Sequence, residues 1–182
     1  MSFWNIIKSL DFKQLWVLFL WFLQHPLFMF ATAKATYFTI RIAQKEFPDI
    51  HDQHNKANAF RHALWNLLIA KESAKFSSDL DAVLSWTKRI TDWHEEFSPN
   101  KQMPKLMDLH NNKFGRDKFP KWKEESKARI VFLLKNEFSS AVQVKHTSEF
   151  KNLENQLVYL EKYFIFRKEK SAGNDKKHCF RN

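Results

Sequence analysis

The sequence predicts an all-α protein: a compact multi-helix bundle with an apolar helical segment at its N-terminus. Three observations lead there. Only 2 of the 182 residues are Gly and 5 are Pro, so the turn punctuation of a β protein is missing. Apolar residues recur at helical spacing, as in Ile130, Leu133, Leu134 and Phe138, and no segment alternates in the manner of a strand. The length suits one compact domain, which 19 Phe and 7 Trp give an unusually aromatic core or surface.

The elements follow in order. Residues 15–23, LWVLFLWFL, are a run of nine apolar residues that Gln24-His25-Pro26 interrupts before LFMFA resumes. A membrane span needs roughly 20 predominantly apolar residues, and this run falls short. Three readings stand beside one another. The segment is a helix buried in the fold or covered by a partner; or an interfacial anchor with Trp4, Trp16 and Trp21 near the headgroups; or a cleaved signal, with Lys8 and Lys13 ahead of it and Ala31-Thr32-Ala33 as its small-residue site, against which the bulky LFMF argues. The chain thus divides into an apolar segment at 1–24, a helical domain at 25–166, and a basic tail at 167–182 whose composition predicts disorder. A cytoplasmic or membrane-associated place follows, with secretion left open.

Helices are expected over 27–46, over 56–76, and over 79–97 with Ser78 or Asp79 as cap. A short helix over 105–115 should end at Gly115 in the left-handed conformation. Pro120 should then start a helix over 121–144, and Leu153, Leu157, Leu160 and Phe164 mark a last amphipathic helix over 148–165.

The formal net charge of +10 favours an anionic partner. No helix-turn-helix or RNA-binding aromatic motif is present, so an anionic membrane surface or a phosphate-bearing substrate ranks above nucleic acid. Cys179 is the single cysteine, so no internal disulfide forms and no thiolate set for zinc exists.

Three helices each carry a polar stripe within apolar surface. On NAFRHALWN, Asn58, Arg61, His62, Trp65 and Asn66 share an arc of roughly 140°. That helix is apolar nearly everywhere except this arc, which predicts burial, and a buried polar group without a partner costs about 1–3 kcal/mol. The next helix begins its inner stripe with Leu80, Val83 and Leu84 and continues it with Thr87, Thr91, His94 and Glu95. On MDLHNNKFGR, Asp108, Asn111, Asn112 and Gly115 fall on one arc, with Arg116 at its edge. Complementary stripes in succession predict one buried polar site at a helix junction. A purely structural network of Arg61 with Asp108 and Glu95 is the competing reading.

The combination N-A-x-R-H-x-x-W-N (58–66), H-E (94–95) and M-D-L-x-N-N-x-x-G-R (107–116) resembles an uncharacterised bacterial family, a domain of unknown function. These signatures also resemble those of C-terminal modules of some bacterial polymorphic toxins. The resemblance covers roughly residues 25–117 and singles out Asn58, Arg61, His62, His94, Glu95, Asp108, Asn111, Asn112, Gly115 and Arg116. It implies no particular activity.

The residue types suggest a membrane-associated hydrolase. Glu95 and Asp108 would be acid and base, with His62 or His94 carrying protons. Arg61, Asn58, Asn66, Asn111, Asn112 and Arg116 would bind substrate. A divalent metal held by His62, His94, Glu95 and Asp108 is a variant of this reading, although Ser98 stands where an H-E-x-x-H zinc motif needs its second histidine. The alternative is a membrane-associated binding or scaffold protein in which the same network is structural.

Overall fold

The computed structural model describes residues 8, 10–48, 54–97, 102–153 and 155–160. Among them the chain is all-α with one minimal strand pair. The helices are α1 (Phe12–Gln24), α2 (Pro26–Glu46), α3 (Lys56–Ser73), α4 (Leu80–Phe97), α5 (Gln102–Trp122) and α6 (Lys127–Ser139). β1 (Val142–Gln143), a 3-10 turn (Thr147–Asn152) and β2 (Val158–Tyr159) follow.

Helix α3 is the centre. Fourteen of its eighteen residues are buried, which is the burial its nearly all-apolar circumference required. Asn55 caps it, accepting from the Asn58 amide at 3.1 Å. Helix α2 presents to the core a stripe of small residues, Ala31, Ala35, Thr39 and Ala43, spaced four apart. Asp79 caps α4 by accepting from the Ala82 amide at 3.0 Å. Two indoles tie α2 to its neighbours: Trp65 Nε1 donates to Thr36 Oγ1 at 2.8 Å and Trp86 Nε1 to Thr32 Oγ1 at 3.0 Å.

Helix α5 differs from expectation. It does not end at Gly115 but runs through Gly115 and Pro120 to Trp122. Gly115 is there for close approach: a Cβ on it would lie 2.3 Å from the Ala63 carbonyl oxygen on α3. Tertiary contact, not helix termination, sets this glycine. The true break follows Trp122, and Ser126 caps α6 by accepting from the Arg129 amide at 3.1 Å.

The helix expected over 148–165 is also corrected within its described part, where a 3-10 turn and β2 stand instead. Here other backbone groups claim the chain. Leu157 O and Tyr159 O accept from Val142 N and Val144 N, and Leu160 N donates to His54 O. The Asn111 amide brackets Val158, donating to its carbonyl at 2.9 Å and accepting from its N–H at 3.0 Å. Leu157 and Leu160 are still buried, so their spacing marked the core without marking a helix. Residues 161–165, and the tail at 167–182, lie outside the described residues.

Candidate functional site

Helices α3, α4 and α5 bring their polar stripes to one closed place. His62, Glu95 and Asp108 each offer a ligand-capable atom, all within 4.8 Å of one another. His62 stands between the carboxylates, with Nδ1 3.4 Å from Glu95 Oε1 and Nε2 3.4 Å from Asp108 Oδ1. All three are buried, and Glu95 is 0% exposed.

The orientation of the surrounding amides follows from donor chemistry. An arginine can only donate. Arg116 NH1 meets Asn66 Oδ1 at 2.9 Å, so that atom is the oxygen and Asn66 Nδ2 faces Asn112, 2.7 Å from its Oδ1. Asn112 Oδ1 therefore accepts, and His62 Nδ1, 3.2 Å away, must carry the proton. Asn112 Nδ2 then points at Glu95 Oε1, 3.2 Å distant. A second relay runs from Arg61. Its NH2 donates to Asn58 Oδ1 at 2.5 Å, which turns Asn58 Nδ2 onto Asp108 Oδ1 at 2.9 Å. The same NH2 lies 3.1 Å from His62 Nε2, the nitrogen left with a lone pair. Two arginines thus fix one neutral tautomer of His62 and the posture of both carboxyls.

These relays place the remaining candidates. Asn58, Asn66, Asn112 and Arg116 surround the three central groups and spend the hydrogen bonds above inside the protein. Asn111 is outside the centre, committed to Val158. His94 is not among the three clustered groups; its ring meets Trp65 edge-on at 5.2 Å. Thr91, on the polar continuation of the α4 stripe, joins the network by donating to Asn66 Oδ1 at 3.2 Å and accepting from Arg116 NH1 at 3.1 Å.

Sequence reasoning missed a third buried carboxylate, Glu72, which looks like an ordinary exposed helix residue in sequence. Three lysines hold it: Lys75 at 2.6 Å, Lys34 at 3.1 Å and Lys127 at 3.3 Å. Burial alone would raise its pKa, but the lysines overcome that and bring it down to about 2. Glu95 has the opposite setting. Its Oε2 is buried with no hydrogen-bond partner. Burial first, and Asp108 second, push its carboxyl up to about 8 against the pull of Asn112 and Arg61. Burial likewise raises Asp108, while Arg61 and Asn58 oppose. His62 is held well below its ordinary value by burial and by Arg61, and His94 falls to about 4 for the same two reasons.

A stability profile follows from these shifts. The two carboxyls are protonated in the fold over a range where the unfolded chain, with values near 4, has ionised them. Their contribution is complete below about pH 4 and is lost as pH rises to about 8. The lowered histidines act the other way: their contribution is complete above their ordinary value near 6.5 and is lost as pH falls below it. By about pH 7.5 these histidines, and the likewise lowered His54 and His110, are neutral in both states, so from there to about pH 8 only the carboxyls still change. The melting temperature should therefore fall across that window, and a rise would contradict a protonated centre.

The fold and this centre define a class: an all-α protein whose central helix and two neighbours enclose a carboxyl pair around a neutral histidine. The chain belongs to the family described as a domain of unknown function (DUF6973), whose profile matches residues 19–142, more than half of the chain. No curated protein and no solved structure matches it. All three central groups lie within the matched span.

Proposed function

We propose that this protein is a membrane-associated hydrolase using Glu95 and Asp108 as acid and base. The observation that carries the chemistry is the unpartnered Glu95 Oε2. Glu72 Oε1 likewise makes no hydrogen bond but has the Lys127 ammonium 3.3 Å away, whereas burial and Asp108 favour the neutral, proton-bearing state of Glu95. Such a group costs stability unless it serves a ligand.

The step balances as follows. Above about pH 7, where Asp108 ionises beside Arg61 and Asn58 while Glu95 still holds its proton, Asp108 takes a proton from water as the water oxygen bonds to the substrate's acyl or phosphoryl centre. Glu95 gives its Oε2 proton to the leaving oxygen as that bond breaks. Asp108 is left protonated and Glu95 ionised. Exchange with solvent then resets the pair, Asp108 losing its proton and Glu95 regaining one, while His62, 3.4 Å from each carboxyl, keeps its Nδ1–H. Arg61, half-buried at the edge of the centre, suits an anionic substrate group. The test offers alkyl esters and alkyl phosphodiesters to the purified chain. Hydrolysis by the natural protein and its loss in Glu95→Gln supports the reading; absence of turnover on every ester and phosphodiester class overturns it.

A second reading rests on the same three groups. Their atoms, within 4.8 Å of one another, fit a hard divalent cation bound by one imidazole and two carboxylates. Arg61, 3.1 Å from His62 Nε2, opposes it by like charge, which puts the acid–base reading first. Elemental analysis of purified protein should find under about a tenth of an equivalent of any divalent metal. About one equivalent, with a melting temperature that drops on chelation, would transfer the site to metal chemistry.

A further inference from the structure

Helix α1 has the sequence FKQLWVLFLWFLQ, apolar on nearly every side, yet it has no buried residue. A helix of that kind belongs in an apolar surrounding. Phe12 is 80% exposed, Trp16 52% and Leu23 61%. One edge is tied down, since Trp21 packs against Trp86 and Trp93 of α4 at 6.0 and 5.7 Å. The rest of α1 faces outward. The outer stripe of α2 continues the apolar surface through Leu27 and Phe30, and then changes to Tyr37 with Arg41 5.7 Å over its ring.

We propose that α1 and the outer stripe of α2 lie flat on an anionic phospholipid surface. Charge selects this occupant. Asp11, which caps α1, is the one acid at its start and none occurs from Phe12 to Lys45, while Lys8, Lys13 and Arg41 are exposed around the apolar area. Cations beside exposed aromatics match a negatively charged headgroup layer. A two-fold contact with a second copy would instead bring the same lysines toward one another. No helix among the described residues is long and apolar enough to cross a membrane. At 13 residues, or about 20 Å, α1 fits in the plane of the interface.

This inference deepens the membrane-associated part of the proposed function by naming the face and the lipid, and it stands whether or not the centre hydrolyses a substrate. The test sediments the full chain with vesicles of phosphatidylcholine alone and of phosphatidylcholine with phosphatidylglycerol. Binding to the anionic vesicles is expected, with a blue shift of tryptophan emission as Trp16 leaves water. Trp16→Ser/Phe19→Ser/Phe22→Ser should abolish both. Lys8→Glu/Lys13→Glu should weaken anionic-vesicle binding by roughly tenfold or more. Glu95→Gln should bind vesicles as the natural protein does, whether or not hydrolysis is found. The proposal fails if anionic vesicles are not bound, or if the charge-reversed variant binds them undiminished. It also fails if the face forms a lipid-free dimer that excludes vesicles.

Discussion

Gly115→Ala will lower the melting temperature by about 6–12 °C, the equivalent of about 3 kcal/mol for a chain of this size. On an isolated helix the same change is favourable by about 1 kcal/mol, because glycine is the poorer helix former. Here the new methyl carbon would sit 2.3 Å from the Ala63 carbonyl oxygen and 3.0 Å from the Ala63 Cα. Non-bonded heavy atoms settle near 3.5 Å or beyond. Both obstacles are backbone, so no side chain can swing aside. Helices α3 and α5 must separate, which loosens Phe114, Phe60 and Leu64 in the core. It also draws Asp108 and Asn112 away from His62, so the polar centre opens with the packing. A denaturation curve settles the matter, and a variant as stable as the natural protein would refute the close contact.

That glycine shows what sequence reasoning could and could not see. It shares an arc with Asp108, Asn111 and Asn112, and Ala63 is what lies against that arc. Its placement near the end of a periodic stretch suggested a helix terminus instead, because the local signal for a left-handed cap and for a packing contact is the same residue. The three polar stripes were legible because α3 is so apolar elsewhere that Asn58, Arg61, His62 and Asn66 had to find internal partners. Roles within the cluster were not legible. An asparagine that brackets a strand, Asn111, and one that orients a histidine, Asn112, are adjacent and identical in sequence. Only the position of Val158, some fifty residues on, separates them. Glu72 escaped notice because Lys75, three residues on, reads as an ordinary surface pair, while Lys34 and Lys127 come from distant parts of the chain. The 3-10 turn and β2 were hidden for a related reason: long-range backbone pairing with Val142, Val144 and His54 outweighed a helical apolar period.

Glu95→Gln separates a catalytic centre from a structural one, because it drives stability and activity in opposite directions. Glutamine keeps the shape of the protonated acid and still accepts from Asn112 Nδ2. It removes the ionisation that burial and Asp108 oppose, so the variant should not lose stability at pH 6 and should be the more stable protein at pH 8. A carboxylate that held the helices together would show the reverse, as Glu72→Gln should by stranding Lys34, Lys75 and Lys127. The activity test then turns on the leaving group. An alkoxide needs a proton as it departs, and losing its donor should slow hydrolysis by about 10²–10³. A nitrophenolate leaves without that help, so the same variant should retain most of its rate on a nitrophenyl ester. Asp108→Asn removes the base that activates water and should slow both substrates alike. Equal losses on both substrates in Glu95→Gln would show a distorted centre, not a missing proton donor, and would return Glu95 to a structural role.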